Sequence, residues 1–207
     1  MFAQDELRQI VLQHASPQAA EWFRAQLQAP AVQAAFAGAG RRLGNALVQT
    51  DAPLLQGRPL AELGRMALLL SAVDRGADAP ALVQDLFWRG SADEKVAVLR
   101  ALPLLPEPAR FVAIGIEAVR ASVGTVFEAV ACENPFPADH FPEPAFNQLV
   151  LKAIFNEVSC RRIEGLARRA GPELTRMAQG YGSERRAAGR PVPEDVAYVS
   201  SLQGNQP

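Results

Sequence analysis

Residues 60–102, LAELGRMALLLSAVDRGADAPALVQDLFWRGSADEKVAVLRAL, decide the fold class. Leu60, Leu63, Met66, Ala67 and Leu70 make one apolar stripe ending near Gly76, and Leu82, Val83, Leu86 and Phe87 make another ending at Gly90. Intervals of three and four are the period of an α-helix, because residues so spaced share a face. Ser91, with Glu94 three positions later, has the spacing of a capping box. It opens a third helix through Val96, Val98, Leu99 and Leu102, stopped by Pro103 and Pro106. Short helices joined by short turns predict an all-α fold of antiparallel helices, either a HEAT-like α–α superhelix or an irregular helical bundle. No strict internal repeat decides between the two.

Toward the N-terminus, Leu7, Ile10 and Val11 define a first amphipathic helix. Ser16 and Pro17 supply the N-cap and first-turn proline of a second, which runs through Trp22, Phe23 and Leu27 and is closed by Pro30. Residues 31–48 carry Val32, Phe36, Leu43 and Leu47, but Gly38, Gly40 and Gly44 predict a break near Gly38–Gly40 with a short helix on each side. Asp51–Pro59 is the best candidate linker, yet too short to separate independent domains. Residues 1–207 therefore read as a single domain with an N-terminal helical subregion over about residues 1–50. On the other side, Pro108–Ala131 is mostly apolar, but Arg110, Glu117, Arg120 and Glu128 fall in one narrow sector of the helical wheel. That describes a nearly buried helix with one wet edge, not a membrane span, and Gly115 and Gly124 favour a split near Ser122–Gly124.

A chain of 207 residues with 49% hydrophobic residues can bury a substantial core. Its 21 Lys plus Arg against 22 Asp plus Glu give a formal charge of −1, without the basic excess that general nucleic-acid binding requires. Two cysteines make no disulfide framework, and MFAQDELRQI is acidic where a secretory signal is basic and then apolar, so the expected location is cytoplasmic. No glycine-rich phosphate loop, serine elbow or dinucleotide fingerprint is present, and no cofactor is expected.

Candidate functional residues concentrate beyond residue 131. Cys132-Glu133-Asn134-Pro135-Phe136-Pro137-Ala138-Asp139-His140-Phe141-Pro142 contains three prolines, and it predicts an ordered extended loop. Cys132 is either a nucleophile paired with His140 or, the favoured reading, a small buried apolar residue. Asn134 before a proline is a turn former. Glu133, Asp139 and His140 have no metal-ligand spacing, so no metal is assigned, and His14 reads as a helix-end residue. The next helix carries Phe146, Leu149, Val150, Ala153 and Ile154, with Gln148, Lys152 and Asn156 on one polar stripe. Residues 121–160 sum to −4 and residues 161–190 to +5, which predicts that the arginine-rich C-terminal helices pack beside the acidic loop. Within Pro172–Gly189 the stripe Leu174, Met177, Ala178, Tyr181 continues to Arg185, placing a guanidinium on an apolar face where it needs an acceptor; Arg186 lies about 100° away. A ligand pocket is expected where His140, Asn147, Lys152, Tyr181 and Arg185 converge. Salt bridges from Lys152 or Arg185 to Glu133, Glu143 or Glu157 are the structural alternative.

The ordered motifs CENPFPADHF, FNQLVLKAIFNEV and ERRAAGRPVPED resemble the signature of the EboA family over about residues 127–195. The resemblance implies a helical protein of a conserved bacterial biosynthetic gene cluster linked to making or moving lipid-like secondary metabolites. Such clusters also encode a membrane-embedded prenyltransferase and isomerase-like enzymes as candidate partners. The function expected is therefore a non-catalytic accessory role in secondary-metabolite biosynthesis or transport, binding a small apolar or anionic metabolite or docking a pathway enzyme. The alternative is a small lyase or isomerase using His140 and Lys152 with an arginine anchor.

Overall fold

The computed structural model describes residues 2–202, and among them the protein is all-α. In chain order the helices are α1 (Phe2–His14), α2 (Pro17–Leu27), α3 (Gln33–Leu43), α4 (Leu60–Asp74), α5 (Ala79–Arg89), α6 (Ala92–Ala101), α7 (Val112–Val119), α8 (Gly124–Ala131), α9 (Phe136–His140), α10 (Glu143–Phe155), α11 (Leu166–Arg169), α12 (Pro172–Ala187) and α13 (Glu194–Leu202). Short 3-10 turns lie at Leu102–Leu104, Pro108–Phe111 and Cys160–Arg162. Among the described residues the β structure is one isolated bridge, Leu47 to Pro59. No described helix is long and apolar enough to cross a membrane. The chain forms two compact units that divide between Ala129 and Val130.

The first unit is built around α4, which packs against α1, α2, α3 and α6. Every residue from Leu60 to Ala72 is buried, so the apolar stripe read from the sequence widens to the whole circumference, as in a helix enclosed by others. Its polar residues are satisfied from the surrounding helices and loops: Arg8 Nε donates to Ser71 Oγ at 3.1 Å and Arg65 Nε to the Phe36 carbonyl at 3.0 Å. Arg58 pairs with Glu62 at 3.4 Å. A side chain at Gly64 would collide with Leu43, so this glycine is what lets α3 close onto α4.

The helix starts follow their capping chemistry. Ser16 Oγ accepts from the Ala19 amide, Asp78 caps α5, and Ser91 with Glu94 forms both bonds of the capping box. The split between α7 and α8 falls at residues 120–123, as Gly124 suggested. Two expectations are corrected. Gly38 and Gly40 do not break α3, which is continuous to Leu43: Ala35, Phe36, Ala39 and Leu43 bury one face, and that burial outweighs the glycine penalty of about 1 kcal/mol each. Residues 51–59 are a folded loop rather than a loose linker. The Val48 amide donates to the Arg58 carbonyl, the Gly57 amide to the Val48 carbonyl, and Leu55 is buried.

In the second unit, α10 buries Phe146, Asn147, Leu149, Val150, Ala153 and Ile154 and packs against α12. α12 in turn packs against α13 with Gly182 at the contact, where a Cβ would lie 3.0 Å from Val196 Cγ1. The residues buried on α12 are Leu174, Thr175, Ala178 and Gly182, so the buried face is centred to one side of the predicted stripe. Tyr181 and Arg185 lie at its half-buried edge.

Candidate functional site

The segment Cys132–Pro142 departs from the extended loop expected of it. Asn134 is buried and its Oδ1 accepts from the Phe136 amide at 3.0 Å, an Asx turn that launches the one-turn helix α9. Prolines 135 and 137 do not prevent this, because a proline in the first turn gives up only an amide that would be unpaired anyway. Arginines then hold the segment, from the turn Cys160–Arg162 and from α11. Arg162 clasps Glu133 through Nε–Oε1 at 2.7 Å and Nη2–Oε2 at 3.2 Å, while the Glu133 amide donates to the Arg162 carbonyl at 2.8 Å. This clasp stabilises Glu133 in the left-handed region, φ 43°. Arg168 pairs with Asp139 at 2.6 Å. Arg169 donates to the carbonyls of Ala138 and Phe141 at 2.6 and 2.8 Å and lies over the Phe146 ring at 4.7 Å.

Cys132 and Cys160 are both buried and neither is in a disulfide. Burial first, then the nearby Asp195 carboxylate, pushes the Cys160 thiol up to about 12, so it stays protonated at neutral pH. Asp195 Oδ2 also accepts from the Cys160 amide at 3.0 Å, tying the start of α13 to the turn Cys160–Arg162.

This tie closes one side of a cavity of about 380 Å³, bounded by Glu157, Ser159 and Arg161 in the stretch after α10, by Arg185 of α12 and by the Pro191–Tyr198 segment. Arg185 is half-buried and its Nε donates to the Pro191 carbonyl at 2.9 Å. The acceptor that the sequence demanded is thus a backbone carbonyl, and no carboxylate comes within ion-pair distance of Arg185 among the described residues. Arg161 stacks on Tyr198 with its guanidinium carbon 4.1 Å from the ring centre. Glu157, Glu194 and Asp195 line the same cavity, and none forms an ion pair with Arg161 or Arg185 among the described residues. Charges of both signs therefore border one space without having collapsed onto each other.

The sequence model of a family described as "Metabolite traffic protein EboA" matches residues 56–199. The chain belongs to the EboA family. The match reaches back from the C-terminal motifs to the loop before α4, so it takes in the central helix of the first unit and every residue lining the cavity. No curated protein and no solved structure matches the chain.

Among the five expected ligand residues, Arg185 lines the cavity and the other four do not. Tyr181, one helical turn earlier on α12, meets the exposed ring of Phe155 edge-on at 6.5 Å. His140 ends α9, its ring 5.2 Å from that of Phe136. Asn147 is buried in α10 with no hydrogen-bond partner for its Oδ1, and burial draws the pKa of the half-buried Lys152 down. Arg186 is exposed and donates to Ser183 Oγ at 3.3 Å. His14 ends α1, its Nδ1 2.9 Å from the Ile10 carbonyl. Sequence reasoning missed Arg161, Asp195 and Tyr198. The signal for them was the PVPED turn, which carries two prolines and two acids straight after an arginine-rich helix and thereby builds a wall opposite it.

Proposed function

We propose that this EboA-family chain is a non-catalytic carrier in metabolite traffic, holding a small metabolite in the cavity bounded by Arg161, Arg185 and Tyr198. The observation that carries the reading is the open cavity lined by both signs of charge without an ion pair between them. Guanidiniums with unused N–H groups are fitted to a carboxylate or phosphate on the metabolite, and the neighbouring carboxylates to its hydroxyl groups. Pro191, Val192, Pro193 and the Tyr198 ring supply apolar cover for a ring or chain, with Tyr181 and Phe155 a turn away. The volume is that of a small-molecule site. The metabolite is proposed to be a lipid-like secondary product or its precursor, apolar in body and anionic at one end. A docking role toward a pathway enzyme is the second reading, favoured by Trp88 and Val123, exposed apolar side chains on one groove of the first unit.

The test is mass spectrometry of small molecules released from the protein purified from a producing cell, beside Arg185→Met. The carrier reading expects an enriched molecule in the wild type that is depleted about tenfold or more in the variant, the loss of one charged hydrogen-bonded pair. Equal retention by both proteins, or none by either, sinks it.

A further inference from the structure

We propose a second binding site, for a flat ring bearing an anionic group, in the groove between α2 and α3 of the first unit. The groove has a volume of about 540 Å³ and includes Trp22, Gln26, Ala34, Gly38, Arg41 and Arg42. It lies wholly before residue 56, outside the family match, and shares no residue with the cavity of the second unit.

Two independent features point to a ligand. The first is the donor set. The indole N–H of Trp22, the Gln26 amide and the guanidiniums of Arg41 and Arg42 all border the groove, no acidic side chain does, and none of these donors has a protein acceptor among the described residues. Glu21, next to Trp22 in the chain, pairs with neither arginine. The helix dipole favours arginines in the last turn of α3, but it provides no partner for their forks. The cavity of the second unit mixes both signs of charge, whereas this groove presents donors alone.

The second feature is Gly38. Mid-helix glycine is unfavourable relative to alanine, and proteins tolerate it where something must come close. The other glycines of this packing have such a neighbour inside the protein: Gly64 has Leu43, and a Cβ at Gly40 would lie 3.1 Å from Arg65 Nη2. A Cβ at Gly38 would meet nothing within 4 Å. No intramolecular contact accounts for the missing side chain, and the space it leaves opens onto the groove that Trp22, Arg41 and Arg42 also line. A planar ring laid in that groove would stack on the indole, and an anionic substituent would reach the arginine forks.

The experiment uses the full chain with Trp88→Phe, which leaves Trp22 as the sole tryptophan reporter. 1-Naphthyl phosphate is titrated against its fluorescence, with 1-naphthol as the uncharged control. Saturable quenching by the phosphate ester and none by the naphthol is expected. Arg41→Ala with Arg42→Ala should weaken the dissociation constant by about tenfold or more. Gly38→Ala should act in opposite directions on the two readouts, raising Tm by about 2–4 °C through helix propensity while weakening the probe several-fold by filling that space. The proposal is overturned if quenching does not saturate, if the naphthol binds as well as its phosphate, or if either variant keeps the parent affinity. None of these outcomes bears on Arg185 or its cavity.

Discussion

Glu62 lies on the enclosed helix α4 with only 8% of its surface exposed, beside Arg58 and within the fields of Arg100 and Arg65. Burial raises its carboxyl pKa, and the three guanidiniums only partly offset that rise. A raised folded-state value means that the folded chain binds this proton more tightly than the unfolded chain does. The stability Glu62 contributes is therefore fully present below the ordinary glutamate range, about pH 4.3, and is lost as pH rises through the folded value. Glu62→Gln cannot titrate, so the stability of the wild type minus that of the variant should fall as pH increases from about 4 toward neutrality. Urea melts of both proteins across that range give the difference directly. A difference that grows with pH would mean that the arginines, not burial, control the site. Nothing in the residue pattern announced this. Glu62 occupies an ordinary first-turn position in α4, and only the packing of other helices around it makes the carboxylate a buried one.

At the scale of elements, α9 is a single turn, too short to be stable alone, and the chain around it is pinned by arginines of unequal weight. Arg169 makes two charged hydrogen bonds to the carbonyls of Ala138 and Phe141 and stacks on buried Phe146, a combination that needs a planar fork. Arg168 makes a short ion pair with Asp139, but both partners are about half exposed or more. Arg169→Lys should therefore destabilise the protein by roughly 2–3 kcal/mol and Arg168→Ala by about 1 kcal/mol or less, measured by chemical denaturation. Comparable losses would refute the ranking. The opposed segment charges were legible in the sequence, and arginines do hold the acidic segment. Which arginines do so was not legible, because a charge sum is blind to the turn at Cys160–Arg162 that brings Arg162, Arg168 and Arg169 back while Arg185 turns to the Pro191 carbonyl. Capping motifs and apolar periods, being local, located most helices. Gly38 and Gly40 misled because their propensity is local while the burial that overrides it comes from α4. The cavity stayed hidden for the same reason, since its walls come from three separate stretches of chain.

For the whole molecule, the single-domain reading and the two compact units make opposite predictions about unfolding. The division between Ala129 and Val130 does not fall in a linker: it cuts α8, where Val126, Phe127, Ala129, Val130 and Ala131 are all at most 2% exposed. Independent domains are joined through exposed, poorly packed chain, so that one can melt while the other stays folded. Here the boundary lies inside one buried helix, and fraying a buried helix costs the burial of every apolar side chain on it. We therefore propose that the chain unfolds as one cooperative unit. Scanning calorimetry should give one endotherm with an enthalpy of about 145 kcal/mol near 60 °C by the usual per-residue scaling, and a van't Hoff enthalpy equal to it. Two resolved transitions, or a van't Hoff enthalpy near half the calorimetric one, would make Ala129–Val130 a true domain boundary. The carrier cavity would then belong to a module of 78 residues able to keep its fold while the first unit melts.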